Sequence, residues 1–481
     1  MASIKETSEA VGGHRATLSS RLALSGLCLS MLLSSLGTSI ANVALPTLAE
    51  TFSASFQQVQ WVVLSYLLTI TALIVGAGRL GDMFGKRPVL LAGILLFVTA
   101  SILCGLAVTL DMLIVARAAQ GAGAAMLMAL TLALVAETVP KERIGSAMGL
   151  LGTMSAIGTA LGPSLGGLLI AGLGWRSIFL VGVPLGLAAL ALIHRYQPPD
   201  RRQASSDQTG FDLSGTLVLT ATLAAYALAM TVGKGHFGQS NALLLLASAT
   251  GVLLFVRVEA KAASPLVRLN MLGDPRLRGG LAMSALVTTV LMATLVVGPF
   301  YLALALDLGA AKVGLVMSVG PLVAAITGVP AGRLVDRLGA QRIIAAGIAG
   351  VIAGSLLLAT LPTSAGTGAY MASMILMTAG YALFQAANNT VIMTGASAAD
   401  RGVVSALLNL SRNLGLVTGA SLMGAVFAFA SGMSGAGPAL AMAVAGGMRL
   451  TFGVATLLGV AALAVAFTGR SAGFSAHIRR A

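Results

Sequence analysis

The chain has 481 residues, of which 57% are hydrophobic and only 9% charged. A soluble domain carries about 25% charged residues, so this composition excludes a water-soluble fold and makes the bilayer the solvent. The net charge of +14 would suit nucleic acid, but the basic residues stand singly or in small groups between apolar runs, as in proteins they orient in a membrane.

Residues 1–21 read as a polar tail carrying Arg15 and Arg21. The apolar run that follows is too long for a signal peptide and reaches Asn42-Val43-Ala44-Leu45-Pro46 with no clear small-residue cleavage site. It is the first of six spans between 22 and 194, the others falling near 61–78, 88–107, 112–136, 146–171 and 176–194. A polar stretch at 195–212, with Pro198, Pro199, Arg201 and Arg202, reads as a linker. Two accessory spans are expected within 213–258, then a basic linker at 259–278. Six more spans lie between 279 and 468, near 279–303, 313–333, 343–361, 368–392, 402–430 and 449–468, before a short tail at 469–481. The glycine-rich stretch 431–447 reads as an external hairpin or re-entrant segment. The architecture expected is all-α and integral to the membrane, with 14 transmembrane helices as two six-helix bundles plus two accessory helices.

Charge orients this layout. With both termini inside, only Arg176, Lys234, Lys312 and Arg449 fall outside, and Arg117 and Arg412 fall within spans. That leaves 23 of the 29 basic residues on the inner face. Cys28 and Cys104 lie in apolar runs and read as packing residues. The four histidines are scattered, so no metal site is expected, and no cofactor or catalytic constellation either.

A charged turn separates the second and third spans: Gly78-Arg79-Leu80-Gly81-Asp82-Met83-Phe84-Gly85-Lys86-Arg87. A second copy begins 254 residues later, Gly332-Arg333-Leu334-Val335-Asp336-Arg337-Leu338-Gly339. Such doubling is the mark of a secondary transporter. The glycines permit a tight reversal. Asp82 and Asp336 could bond free amides at a helix N-terminus as a breakable latch, or act as local caps beside the anchors Lys86 and Arg87.

Arg117 lies within span 4 with Gln120 on the same face. A mid-bilayer charge costs at least about 2.5–3.5 kcal/mol, so polar partners in the interior are required. Arg412 poses the same question on span 13, with Asn409 and Asn413 nearby and Gln385, Asn388 and Asn389 of span 12 as groups that could solvate it; a structural hub is the alternative. Gly158, Gly162 and Gly166 recur every four residues beside Pro163 and Gly167, giving a bare ridge for close helix approach and a kink. Ser39, Asn42, Trp61 and Tyr66 are further cavity candidates, and Met126, Met128, Met371, Met374 and Met377 could form an adaptable wall.

These stretches together resemble the major facilitator superfamily, and within it the fourteen-helix drug:proton antiporters. The duplicated turn is similar to the family's signature loop. Leu113, Arg117, Gln120, Gly121, Gly123, Ala124 and Ala125 fit its fourth-helix motif, residues 158–167 the fifth-helix motif of its antiporters, and Leu36 to Pro46 its first-helix motif. The resemblance implies small-molecule export by alternating access and multidrug efflux driven by the proton gradient. It also implies a role for Arg117 in proton relay or charge sensing and a seam at 158–167 that moves during exchange. The setting expected is a bacterial cytoplasmic membrane, with lipid and a small-molecule substrate as partners, no nucleic acid, and a monomer with or without a periplasmic adaptor.

The family's first-helix aspartate is replaced here by Gly37, and none of the fifteen acids falls at mid-membrane in this layout. The cavity is therefore expected to favour neutral, apolar or weakly anionic compounds over dications. Protons would have to bind near an end, at Asp82, Glu137 or Asp111. The alternatives are a narrow-substrate metabolite exporter or uptake carrier and, from another class, a transport-inactive sensor; a membrane enzyme lacks any convergent set of reactive groups.

Overall fold

A computed structural model describes residues 2–139, 144–199, 212–232, 238–262, 265, 271, 273–395, 401–432 and 438–478. Within it, fourteen helical stretches are long and apolar enough to cross a bilayer. They are built from α1 (Ala2–Thr51), α2 (Phe56–Phe84), α3 (Lys86–Gly105), α4 (Leu110–Thr138), α5 (Ile144–Leu173), and the pair α6 (Ser177–Leu180) and α7 (Gly182–Tyr196). Next come α8 (Leu213–Thr231) and α9 (Gln239–Lys261). The second half holds α10 (Pro275–Phe300), α11 (Ala310–Met317), α12 (Val319–Leu338), α13 (Ala340–Thr360), α14 (Gly366–Gly395), α15 (Arg401–Thr418), α16 (Gly424–Ser431) and α17 (Pro438–Ile478). π-helical turns at Tyr301–Ala305 and Gly419–Met423 extend α10 and join α15 to α16.

Helix starts follow from local chemistry. Ser55 and Gln58 form a reciprocal capping box at α2. Thr109 accepts the Met112 N–H at the start of α4, and Asp212 accepts the Gly215 N–H at α8. Asp274 caps α10, with Pro275 in its first turn, where proline's missing N–H costs nothing.

The duplicated turn is tighter than the sequence suggests. Gly78 and Gly81 are helical, and so is Gly332. The reversal falls on one residue in each copy, Gly85 at φ 98° and Gly339 at φ 82°, both in the left-handed region that glycine enters without steric cost. Lys86 and Ala340 start the next helix at once, so both halves break the chain in the same way.

The segment 431–447 is not the hairpin or re-entrant stretch expected. Residues 433–437 lie outside the described residues, but from Pro438 the chain is helical and continues into the last span. Gly447 packs against Phe427 and Ser431 of α16. In lipid such glycines serve helix contact rather than helix breaking.

Lys86, Arg87, Arg195, Lys261, Arg337 and Arg342 all lie toward one face of this assembly, the charge-rich end. The connections at 52–55, 106–109, 174–176 and 306–309 lie at the other, charge-poor end.

Candidate functional site

Arg117 is fully buried, at 0% exposure. Its Nε donates to the Val62 carbonyl at 2.9 Å, one terminal nitrogen donates to Gln120 Oε1 at 2.5 Å, and the other to the Gly37 carbonyl at 3.0 Å. The Tyr66 ring lies under the guanidinium with its centroid 4.1 Å from Cζ, a desolvated cation–π contact. Gln120 is held in turn by Nε2 donation to Ser101 Oγ, and Tyr66 by its hydroxyl on the Ser34 carbonyl. Four helices, α1 to α4, thus converge on one charge.

Gly37 has no side chain to offer, and its backbone carbonyl takes the guanidinium. A β-carbon at Gly37 would lie 2.8 Å from the Tyr66 hydroxyl, so a carboxylate and a stacked Tyr66 compete for one space. Tyr66, expected as cavity wall, is instead the floor under Arg117. A small void lies beside Arg117, Gln120 and Gly37.

The glycine ridge divides into two surfaces. Gly158 faces the Leu32 carbonyl, Gly162 faces Ser39, and Gly166 faces Val43 and Ile40, all on α1 of the same half. The Ser39 hydroxyl lies within this seam, with the carbonyls of Ser35, Leu36 and Gly158 as alternative acceptors for its one proton, so it is a packing group rather than a cavity residue. Gly167, with the Pro163 carbonyl, meets the other half at α11. A β-carbon on Gly314 of α11 would stand 2.9 Å from the Gly167 Cα, and one on Gly167 would stand 2.5 Å from the Ala310 carbonyl. The seam expected between halves therefore includes Gly167 and Pro163 against α11, while the every-fourth glycines bind α5 to α1.

This contact belongs to a closure at the charge-poor end. Phe56 of α2 packs edge-on against Phe300 of α10 at 4.8 Å and against Phe427 of α16 at 5.1 Å between centroids. Gln60 donates to the Ala420 carbonyl inside the second π-helical turn, where helix widening leaves backbone groups free for such partners. Beyond this plug lies a vestibule of about 880 Å³ lined from both halves, with Glu50 among its residues. Gln60→Leu should remove one buried hydrogen bond between halves, worth about 1 kcal/mol. The expected result is about fivefold faster thiol labelling of a cysteine placed at Ala428 on the vestibule wall; an unchanged rate would remove Gln60 from the closure.

The side chains of Asp82 and Glu137 lie outside the described residues. Asp336 is exposed and makes no hydrogen bond or ion pair among the described residues. Its place in the last turn of α12 leaves it facing solvent. Arg87 donates to the His194 carbonyl at 2.6 Å, tying α3 to α7 within one half. Asp111 is exposed in the first turn of α4, and no hydrogen bond or ion pair joins it to Arg117 among the described residues.

The other cavity candidates scatter. Asn42 is buried and donates to the carbonyls of Thr38 and Ser39 on its own helix. Trp61 turns away from the centre and donates to Thr231 Oγ1 of α8 at 3.1 Å. Asn388 donates to the Gly280 carbonyl of α10, Asn389 is exposed and Gln385 half-buried. None of the three solvates Arg412, because α14 turns its one buried amide toward α10. Met374 and Met377 are buried in the core of the second half. Arg412 is half-buried on α15, beside Ser411, which donates to the Leu281 carbonyl. Asn409 is half-buried one turn before it. Arg412 itself has no hydrogen bond, ion pair or ring contact among the described residues. Among those residues every carboxylate sits toward a helix end or in a connection; Glu259, although buried, is two residues from the end of α9.

Fourteen spans, doubled turns and a charged node in the first half meet a direct match: the sequence pattern of the Major Facilitator Superfamily covers residues 27–420. The chain belongs to the major facilitator superfamily. The riboflavin transporter RibZ of Clostridioides difficile (strain 630) is 28% identical over 84% of this chain and 87% of its own. The drug efflux pump JefA of Mycobacterium tuberculosis (strain ATCC 25618 / H37Rv) is 33% identical over 81% of this chain and 77% of its own. Among solved structures, a bacterial homologue of the human lysosomal transporter Spinster, inward-facing and occupied, superposes with a TM-score of 0.68 at 17% identity, over 93% of this facilitator and 96% of that chain. That likeness shows the fold.

Sequence reasoning missed Gln60, Gly314 and the Phe56–Phe300–Phe427 cluster. Gln60 carried a signal, as an uncharged polar group inside a span. Gly314 and the phenylalanines carried none, because single glycines and aromatics are ordinary in such helices.

Proposed function

We infer that this facilitator is a multidrug-type exporter, moving small neutral, apolar or weakly anionic compounds out across the bacterial cytoplasmic membrane by alternating access in exchange for protons. Its charge-rich face, with both termini, is cytoplasmic in this reading, and the charge-poor closure is the outer gate. The proton gradient is the energy source, no cofactor takes part, and lipid and substrate are its partners as a monomer. The observation that carries the reading is the charge inventory of the spans: Arg117 is satisfied by carbonyls and an aromatic face, and Arg412 is a cation without a partner among the described residues. Its kinship with JefA supports export.

Arg412 is then the anchor for a weakly anionic substrate. Arg412→Met should raise KM for a monoanionic substrate about tenfold, the worth of one hydrogen bond to a charged group, and leave a neutral substrate's KM unaltered. The decisive assay is proteoliposome flux under separate pH and voltage gradients with substrates graded in charge. Export of neutral and monoanionic compounds driven by the pH gradient is expected; saturable export of a dicationic dye would overturn the selectivity, and flux indifferent to pH the coupling. The kinship with RibZ favours a second reading, a narrow-substrate metabolite exporter or uptake carrier of the same fold, which the same panel detects as one strongly preferred compound.

A further inference from the structure

At the charge-poor face a cavity of about 290 Å³ opens between α2, α4 and accessory helix α8, lined by Gln58, Trp61, Leu110, Asp111, Ile114 and Leu228. It lies on the outside of the first bundle, away from the Arg117 node and the vestibule. Apolar side chains exposed beside it, Val108 at 75% and Val115 at 70%, mark the lipid-facing belt.

The polar groups in this cavity have opposite demands. Asp111 is exposed, its carboxylate accepts only, and it has no ion pair among the described residues. The Gln58 Oε1 accepts the Ser55 N–H at 2.8 Å in the capping box, which orients the side chain and leaves its Nε2 as a donor. Trp61 has its N–H taken by Thr231 and serves as a fixed aromatic wall. Leu110, Ile114 and Leu228 supply the rest.

We propose that this cavity binds a phospholipid bearing a primary-amine headgroup. The ammonium meets the Asp111 carboxylate, a phosphate oxygen accepts from the Gln58 amide, and an acyl chain lies along Ile114 and Leu228. The position of the site at the water–lipid boundary, where tryptophan is favoured, supplies such lipids from the surrounding leaflet. A choline headgroup has no N–H to give Asp111, and an anionic glycerol headgroup is repelled by it. A free alkylamine satisfies Asp111 but leaves the Gln58 donor to water.

Native mass spectrometry of the full chain, delipidated and offered equal phosphatidylethanolamine, phosphatidylcholine and phosphatidylglycerol, reads the preference directly. Retention of phosphatidylethanolamine about fivefold above the other two is expected, the upper range for an exposed ion pair. Asp111→Asn should erase that preference. Gln58→Glu keeps the capping acceptor but removes the donor, so it should weaken phosphatidylethanolamine without weakening dodecylamine. Equal retention of the three lipids by the wild-type chain, or a preference surviving Asp111→Asn, would overturn the site. Phosphatidylethanolamine retention indifferent to Gln58→Glu would make it a site for cationic amphiphiles instead and overturn the lipid assignment. Should a variant fail to fold, wild-type chain with a diazirine-bearing phosphatidylethanolamine decides: cross-links within 110–114 and at 228 support the site, and their absence refutes it.

Discussion

Arg117→Met should leave a folded protein that no longer transports, with flux down about 100-fold, equivalent to losing one strong hydrogen bond to a charged group. The separation of stability from activity is the informative part. The Val62 and Gly37 carbonyls sit on helices α2 and α1, where the backbone ladder still uses them, and methionine fills much of the arginine's volume. Replacing a buried charge with an apolar side chain is often neutral or stabilising. A guanidinium kept inside a bilayer at a cost of at least about 2.5–3.5 kcal/mol is kept for function. Thermal unfolding in detergent and proteoliposome flux together check this, and retained flux in the methionine variant would reduce Arg117 to packing. A companion pair tests the geometry. Gly37→Asp alone should destabilise the protein, because the new side chain meets the Tyr66 hydroxyl. Gly37→Asp with Tyr66→Phe removes the colliding atom and should recover folding.

Gly314→Leu should hold the two halves apart at the charge-poor end and cut transport about tenfold. Its β-carbon would press on the Pro163 carbonyl and lie 2.9 Å from the Gly167 Cα. Both obstacles are backbone, which cannot rotate away, unlike the tip of a side chain. Overpacking of this kind costs about 1–3 kcal/mol, and it falls only on the conformation closed at that end, so it moves the population about 5- to 150-fold. Spin labels at Leu173 and Asp307, one in each half at this face, should show a longer distance in the variant. Gly172→Leu is the control, since nothing lies within 4 Å of that position. An unaltered distance distribution in Gly314→Leu would mean that α5 and α11 do not form the gate.

The site was partly legible beforehand. Arg117 and Gln120 could be paired from their spacing alone, because residues three apart share a helix face. The carbonyls of Val62 and Gly37 could not be foreseen, because backbone acceptors leave no mark in composition. Trp61 and Ser39 were misplaced for a related reason: periodicity says that a residue is on some face of a span, but in a bundle buried from several sides it does not say which neighbour that face meets. The ridge at 158–167 shows the same limit. Spacing revealed small residues, yet Gly166 and Gly167, adjacent in sequence, serve different partners because successive side chains diverge by about 100° around a helix.

By itself the sequence determined the solvent, the fourteen spans and the doubling of the chain, because apolar length, charge asymmetry and glycine-marked turns are local properties that lipid enforces segment by segment. Tertiary structure alone decided which faces meet: Gly37 lending its carbonyl to Arg117, Gly167 touching Gly314, and three phenylalanines from distant helices closing one end. Between helices in lipid there is no hydrophobic drive to favour one apolar face over another, so these pairings follow from shape and buried polar partners, which exist only once the helices are assembled.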